Sequence, residues 1–502
     1  MELRSVVILH LASKVTGEYR AVHWRNDWLW PALLFIVVAL LSRSPMFGNP
    51  VIHIDEQFYL LVGQRMHMGM LPHIDIWDRK PIGLFVIYWA STLGGSIYVY
   101  QLAACVAAAA TAFMVYRVCL RISEPVGATV AGVGYLLFLL TFRGVGGQSP
   151  VFYNLIVIAA VLGTMRVLAG PKEGSLLLKG MGIMLLLGSA IQVKYSVVFE
   201  GVFIGLALMW QCWRERASWL ALVLHALAWV SCALLPTGAA LAYYASLGEA
   251  GTFIQANFLS VFGRQEPLWE AWRRLAISVA LLTPFWIAAV VVTRKAAIAT
   301  GQLRAELYFV RMWTIAATAG YLIFGSYYDH YVLPLLLPLA VLASPALGRS
   351  SKVTPLAVML LLTGGISGGV KVYSEFRKEG NRQQVERISS IVAKNLNGGC
   401  LHVFEGPPIL YSLTGACTST RFVFPSHLSH RKEASALGVS VPDALEEMLD
   451  RRPSVIVADA EAKPSSSNMV TRKILWSALR DHYRFVAPAQ LGRRKLLIFA
   501  LK

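Results

Sequence analysis

The sequence predicts a polytopic α-helical membrane protein of about eleven transmembrane helices followed by a soluble α/β domain. Three observations predict it. Of the 502 residues, 56% are hydrophobic and only 15% charged, with a mean hydropathy of +0.55, which excludes a purely soluble chain. Stretches of about 20 mostly apolar residues, the length that spans a bilayer, recur from Trp28 to Gly369. From Lys371 to Lys502 charged residues become frequent and no apolar run is long enough to cross. The expected units are a cytoplasmic tail at 1–27, a membrane domain at 28–370 with a large first outer loop at 45–96, and a soluble domain at 371–502.

The tail carries Arg4, Lys14, Arg20 and Arg25. It lacks the compact apolar core and small-residue cleavage site of a signal peptide. Apolar segments follow at 28–44, 97–118, 126–142, 151–168, 175–192, 196–212, 218–245, 272–293, 306–325, 331–347 and 354–370. Basic residues cluster at every second connection: Arg117/Arg121, Arg166/Lys172/Lys179, Arg214/Arg216, Arg294/Lys295/Arg304 and Arg349/Lys352. The positive-inside rule makes that side cytoplasmic, with the tail. An odd number of spans then puts the soluble domain and the first loop outside. The net charge of +18 fits cytoplasmic loops and anionic headgroups. No basic stripe is interleaved with aromatics, so nucleic acid is not an expected partner.

Within the first loop, residues 56–68 pattern as a short amphipathic helix lying on the membrane surface. Ile82 to Leu93 reads as a half-inserted helix ended by Gly94-Gly95. In the soluble domain, Cys400–Glu405, Pro453–Asp459 and Leu496–Ala500 read as strands, and Val385–Leu396 and Ala444–Arg451 as helices. No phosphate-binding glycine loop occurs there, so its expected role is docking or acceptor recognition. Cys105, Cys119, Cys212 and Cys232 fall in or beside apolar spans and read as buried thiols. If their domain is extracytoplasmic, Cys400 and Cys417 could form a disulfide or remain free thiols. No Cys or His spacing suggests structural zinc.

The chemistry is expected in the first loop. His53-Ile-Asp-Glu-Gln-Phe-Tyr59 holds a carboxylate pair at a membrane edge, where charge is expensive unless it binds, pairs or reacts. Asp55 is the candidate general base toward an acceptor hydroxyl, or the cap of the helix that follows. Glu56, about 100° away on a helix, is the weaker partner, kept among the candidate binding residues. Arg79 and Lys80 are candidates to clamp a phosphate, or pair with Asp75 or Asp78, which could orient Lys80. Pro81 would start the next segment. Lys194-Tyr195 interrupts two apolar spans, and the lysine either snorkels or binds an anion. Tyr328, His330 and Tyr331, around Asp329, form an aromatic belt or a polar sugar-binding wall. Arg143, Arg264 and Glu266 are minor outer-loop candidates, more readily solvated. A divalent cation could be held by His53 and Asp55 with His73 or His330, though no metal ligand is assigned.

His53 to Tyr59, followed by Leu71-Pro-His-Ile-Asp-Ile-Trp-Asp-Arg-Lys-Pro-Ile-Gly83, resembles the first outer loop of the GT-C superfamily of integral-membrane glycosyltransferases. The similarity is greatest to the branch holding protein mannosyltransferases and the lipid A aminoarabinose transferase. Tyr328-Asp-His-Tyr-Val-Leu-Pro-Leu-Leu-Leu-Pro338, Lys194-Tyr195 and Phe422-Val-Phe-Pro-Ser-His427 resemble further segments of that branch. The family often has a second proline after the lysine, where Ile82 stands here. The resemblance implies a GT-C-like fold and a polyprenyl-phosphate sugar donor. It also implies a glycan, lipid or protein acceptor, with transfer on the periplasmic face of a bacterial inner membrane. It implies Asp55 near the acceptor and Lys80 near the donor phosphate. A transporter or lipid flippase is the alternative, although no internal repeat is visible. A non-catalytic scaffold with a sensing outer domain would have no need of Asp55.

Overall fold

The structure, a computed structural model, describes residues 28–92, 95–170, 175–264, 267–463 and 466–502, with the side chains at 295 and 296 left aside. The expected tail at 1–27, Lys172 and Glu266 lie outside the described residues. Helices run in the order α1 Leu29–Arg43, α2 Ile54–Met66, α3 Ile82–Ser91, α4 Ile97–Cys119, α5 Pro125–Thr141, α6 Ser149–Ala169, α7 Leu176–Ile191, α8 Val198–Arg214, α9 Trp219–Ser246 and α10 Ala250–Ile254. After a π-turn at Gln255–Leu259 come α11 Leu268–Leu281, α12 Thr283–Ala296, α13 Gly301–Ile323, α14 Leu336–Leu347 and α15 Pro355–Glu379.

Each expected apolar segment contains helix, but their reach differs. Among the described residues, 6 helices could by length and composition cross a membrane, or 7 if α11 and α12, bent by 59° at their junction, count as one span. Helices α5, α7 and α14 are shorter. Helix α13 carries Arg304, Glu306 and Arg311, and its Glu306 pairs with Arg121 at the end of α4. The segment expected from residue 331 becomes α-helical only at Leu336, after a 3-10 turn at Asp329–Tyr331. The membrane helices bury a continuous aliphatic and aromatic core and leave large apolar side chains exposed around it, such as Leu224, Leu227 and Val230 on α9. That outward apolar surface is what lipid contact requires; the chain is an integral membrane protein.

Two sequence expectations are corrected. Helix α2 does not lie on a membrane surface: Glu56 to Gly63 and Arg65 are all buried. Its second face is covered by α17 (Ile409–Thr414), with the Ile409 amide donating to Gln57 Oε1 at 3.5 Å and Arg65 donating to the Ala416 carbonyl. The last membrane helix also runs past residue 370 to Glu379 and ends at Gly380, whose φ of +91° only glycine adopts readily.

Beyond Gly380 come α16 (Arg382–Leu396), α17, α18 (Val441–Asp450) and α19 (Met469–His482) around a five-stranded sheet. Small strands β1 (Gly348–Arg349) and β2 (Lys352–Val353) precede it. The sheet has the order β4-β3-β5-β7-β6: β3 (Cys400–Phe404) lies parallel to β4 (Cys417–Thr418) and β5 (Val455–Asp459), and β7 (Arg494–Leu501) antiparallel to β5 and β6 (Tyr483–Leu491). The three expected strands and two expected helices are present. Cys400 and Cys417 are paired in register on adjacent strands, Cα atoms 4.5 Å apart, and form a disulfide. Cys105, Cys119 and Cys212 are buried free thiols and Cys232 is part-buried.

Trp77, from the first loop, is 2% exposed and belongs to the core of the C-terminal domain with Phe422, Leu428, Leu445 and Ile456. The Trp77 amide donates to the Arg421 carbonyl at 2.9 Å. The first loop is thereby fastened into the domain at the far end of the chain.

The disulfide closes a loop of sequence separation 17, for which cross-linking contributes about 3 kcal/mol by restricting the unfolded chain. Replacing both Cys400 and Cys417 by Ser is expected to lower the unfolding midpoint of the C-terminal domain by several degrees, read by differential scanning calorimetry of the whole protein. An unchanged midpoint with the disulfide removed would show that the bond adds nothing to stability.

Candidate active site

Helix α2 begins where His53, extended at φ −147° and ψ 138°, turns its ring back so that Nδ1 accepts the Asp55 amide at 3.2 Å. His53, not Asp55, is therefore the N-cap, and the Asp55 carboxylate is left for other partners. Gln148, buried at the start of α6, donates through Nε2 to His53 Nδ1 at 2.7 Å and reaches Asp55 Oδ2 at 3.5 Å. Because Nδ1 faces two N–H donors, its lone pair is in use and the ring is neutral with its proton on Nε2. Burial first, then the charge of Arg143, lowers the His53 pKa; Asp55 opposes them. The two residues are 3.5 Å apart without forming a charged pair.

Burial alone would raise the Asp55 pKa, but its surroundings, the nearby His53 and His330 rings with the Lys80 charge and the Gln148 amide, hold it below the usual carboxylate range. With both imidazoles neutral, the Lys80 charge and the Gln148 amide carry that effect. Asp55 is an anion. Glu56 is the opposite case. It is 0% exposed and its carboxyl lies against Gly146, where burial pushes its pKa up to about 8. The adjacent acids thus have different charge states, and Glu56 faces the α5–α6 loop.

The second cluster is built by a turn. Asp75 is exposed and its carboxylate accepts the Leu71 amide at 2.7 Å, closing the turn without contacting Lys80. Asp78 is buried, accepts the Lys80 amide at 2.7 Å and lies 3.4 Å from Lys80 Nζ. Pro81, extended, ends the turn, and α3 starts at Ile82 as expected. Helix α3 is seated against the Lys194 segment: the Leu84 amide donates to the Gln192 carbonyl at 3.1 Å. A Cβ on Gly83 would stand 2.6 Å from that same oxygen, so only glycine permits the approach. Lys80 Nζ lies 5.4 Å from the centre of the Tyr59 ring.

Arg79 is not available as a phosphate clamp. Its guanidinium binds both Glu433 oxygens, at 3.4 and 2.5 Å, and stacks on Trp77. Arg264 lies 3.5 Å from the same carboxylate. Arg143 is likewise paired, at 2.6 Å from Glu375 and 3.7 Å from Asp329, while Lys371 donates to Asp329 at 2.6 Å. The expectation of solvated Arg143 and Arg264 is corrected.

Lys194 stands in the non-helical break between α7 and α8, its ammonium 4.3 Å from the centre of the Tyr331 ring. Burial, then the charge of Lys80, pushes its pKa down to about 7, and Asp55 opposes them. The His330 ring stands 5.9 Å edge-on from His53 and 4.8 Å from Tyr331, and stacks on Tyr328 at 6.0 Å. Burial, then Lys194, takes the His330 pKa well below its ordinary value. The Tyr328 hydroxyl accepts from Lys432 Nζ of the C-terminal domain at 3.0 Å. Tyr195 points elsewhere, its hydroxyl donating to Asn257 Oδ1 at 2.9 Å.

The fold thus brings Asp55, Lys80, Lys194, His330 and Tyr331 into one electrostatic neighbourhood, with Tyr328 at its edge. Asp75, Arg79 and Tyr195 hold neighbouring structure. Gln148 and Glu433 were not singled out in the sequence; Gln148 is marked only by being polar at the start of an apolar span. Beside Lys194 opens a cavity of about 60 Å³ lined by Ser196, Phe199, Glu200, Tyr321, Phe324 and Leu335 among others. It is apolar along one side and cationic at its Lys194 end.

Candidate cation ligands converge in part. Ligand atoms of His53, Asp55 and His330 lie within 4.8 Å of one another. His73 is elsewhere, ringed by Phe85, Tyr244 and Phe253.

No protein-family profile matches the sequence and no curated protein matches it. Solved structures do match its fold. ArnT from Cupriavidus metallidurans in the apo state superposes with a TM-score of 0.61 at 13% identity, over 93% of this chain and 97% of that one. Its undecaprenyl-phosphate-bound form gives 0.60 at 13%, with the same coverage. The oligosaccharyltransferase AglB from Archaeoglobus fulgidus, solved with an inhibitory peptide and a dolichol-phosphate, gives 0.53 at 9%, over 88% and 70%. The chain has the fold of these structures.

Burial alone would raise the Glu433 pKa, yet Arg79 and Arg264 hold it down to about 2. A folded pKa below the unfolded one stabilises above the ordinary carboxylate pKa and is lost as pH falls through the folded value. The pair should therefore support the docked domain by about 3 kcal/mol at neutral pH, a contribution that fades between about pH 4.5 and 2. Glu433→Gln is expected to lower the neutral-pH melting temperature and to flatten its acid dependence. Identical melting profiles against pH for the variant and wild type would refute the pairing as a stabilising contact.

Proposed function

We propose that the protein transfers a sugar from a polyprenyl-phosphate donor to an acceptor hydroxyl, on the periplasmic face of a bacterial inner membrane. The observation that carries this reading is the convergence of ionised Asp55 with Lys80 and Lys194 beside an apolar cavity. An anionic headgroup suits the two lysines, and the fold is shared with proteins solved with undecaprenyl phosphate and dolichol-phosphate. The Cys400–Cys417 bond supports an oxidising compartment for the C-terminal domain.

In this reading the acceptor oxygen attacks the anomeric carbon as the carbon–oxygen bond to phosphate breaks, with inversion. The polyprenyl phosphate leaves with the bonding electrons and Asp55 takes the acceptor proton. Lys80, held by Asp78, and Lys194 balance the charge on the departing phosphate, and His330 and Tyr331 shape the wall. A cation at His53, Asp55 and His330 would sit beside these two lysines, and His53 Nδ1 already accepts two N–H groups. We assign the phosphate charge to the lysines, so chelation is expected to leave turnover intact.

The test is incubation of purified protein with labelled polyprenyl-phosphate sugars, following release of polyprenyl phosphate. Asp55→Asn should abolish release. Lys80→Ala should slow it at least about tenfold, since a charged donor in a dry site is worth several kcal/mol to a developing anion. Full activity of either variant, or loss of activity on chelation restored by a divalent cation, would refute the corresponding role.

Lys194 adds a pH dependence. An amine held near 7 offers its charge below that pH and loses it above, so donor affinity should fall between about pH 6 and 9. Lys194→Arg, which stays charged, should flatten the corresponding rise in KM for the donor. A wild-type KM that does not vary over this range would exclude Lys194 as a phosphate ligand.

A further inference from the structure

A chain of hydrogen bonds leads away from Lys80 through a histidine that the transfer reaction does not use. Asp78 grips Lys80 twice, through its amide and its ammonium. The Asp78 carbonyl in turn accepts from His73 Nδ1 at 2.8 Å. His73 Nε2 lies 3.4 Å from Asn257 Nδ2. Asn257 sits on the π-turn after α10, and its Oδ1 accepts the Tyr195 hydroxyl at 2.9 Å. This orders the network in one sense: Nδ1–H donates to Asp78, and Nε2 accepts from Asn257.

His73 is also held in a shape that histidine seldom takes. Its φ is +68°, it is 0% exposed, and its amide donates to the Ile76 carbonyl at 2.8 Å. Phe85, Tyr244 and Phe253 enclose the ring, and the Tyr244 hydroxyl donates to the Pro72 carbonyl at 2.9 Å. A left-handed non-glycine residue persists only where its surroundings over-determine it. A packing role alone would be filled by an aromatic ring. Two directed bonds, one of them to the residue that holds Lys80, demand an imidazole.

We propose that His73 is a positioning residue that fixes Asp78, and through it Lys80, for the donor phosphate. The proposal rests on the assignment of Lys80 to that phosphate. It makes the Lys80 ammonium the end of a braced strut running from Tyr195 and Asn257 across the turn at residues 71–78. His73→Leu removes both bonds, while His73→Asn keeps an N–H donor toward the Asp78 carbonyl and tolerates positive φ.

The experiment is binding of undecaprenyl phosphate to the full-length protein in lipid nanodiscs, for wild type, His73→Leu, His73→Asn, Lys80→Ala and the His73→Leu/Lys80→Ala double variant. His73→Leu should weaken binding about tenfold and His73→Asn by less than about threefold. In the double variant the His73 change should add nothing to the loss from Lys80→Ala, since it acts only through that lysine. Additive losses, or equal losses in His73→Leu and His73→Asn, would overturn the positioning role and leave Lys80 as the phosphate ligand. Wild-type binding by Lys80→Ala would instead overturn the assignment of Lys80, and the positioning role with it. Should His73→Leu fail to fold, Asn257→Ala enters the same cycle, with an expected loss of about threefold that disappears in the Lys80→Ala background.

Discussion

The rest of the site depends on the docking of Trp77-Asp78-Arg79 into the C-terminal domain. A loop between two apolar spans has no intrinsic reason to hold one conformation. Here Trp77 is buried among Phe422 and Leu428, and Arg79 is locked on Glu433. Glu433 is 1% exposed, and a carboxylate so placed is tolerated only with matched cations. Arg79 and Arg264 supply them from two parts of the membrane domain. With Trp77 and Arg79 fixed on either side, Asp78 has one orientation left, and Lys80 follows it. A domain at the far end of the chain thus sets the position of a lysine near residue 80.

That dependence explains what was legible in the sequence and what was not. Hydropathy is a local property, so the apolar segments could be read, as could the α/β character of the C-terminal region. Lys194 stood out as a charge set between apolar spans, and Asp55, Lys80 and His330 as members of polar clusters at the edges of apolar segments. The partners of those residues could not be read. Gln148 meets Asp55 across 93 positions and Arg79 meets Glu433 across 354, separations at which no periodicity or spacing carries information. The same reason hid the burial of α2. Its polar stripe of Gln57 and Arg65 reads as solvent-facing until the α17 region, whose backbone accepts from one and donates to the other, is brought onto it. Asp75 and Asp78 look equivalent three residues apart. Only the turn geometry gives one to Leu71 and the other to Lys80.

The two acids at 55 and 56 show how neighbours in sequence can be opposite in charge. One peptide bond separates them, yet Asp55 faces Lys80 and an amide, whereas Glu56 lies against the Gly146–Gly147 backbone, where the charge of Arg43 does not offset its burial. Solvation decides the outcome: a buried carboxyl ionises only where other groups replace the water it has lost. The helix supplies the separation, because consecutive side chains diverge by about 100°.

The depressed pKa of Asp55 constrains the timing of the proposed transfer. A base this weak has little driving force for removing a proton from an unactivated hydroxyl, and general-base catalysis is strongest when the base pKa lies near the working pH. Glycosyl transfer relaxes the requirement. Its transition state resembles an oxocarbenium ion, with the leaving-group bond largely broken before the new bond is made. The acceptor hydroxyl becomes strongly acidic only once its oxygen bonds to that electron-poor carbon, and a weak base suffices at that stage. Departure of the phosphate must then lead, which places the greater demand on Lys80 and Lys194. Lys80, which helps to hold Asp55 ionised, is also one of the two lysines that draw the phosphate away, so one charge both keeps the base ready and favours the bond-breaking that makes so weak a base adequate.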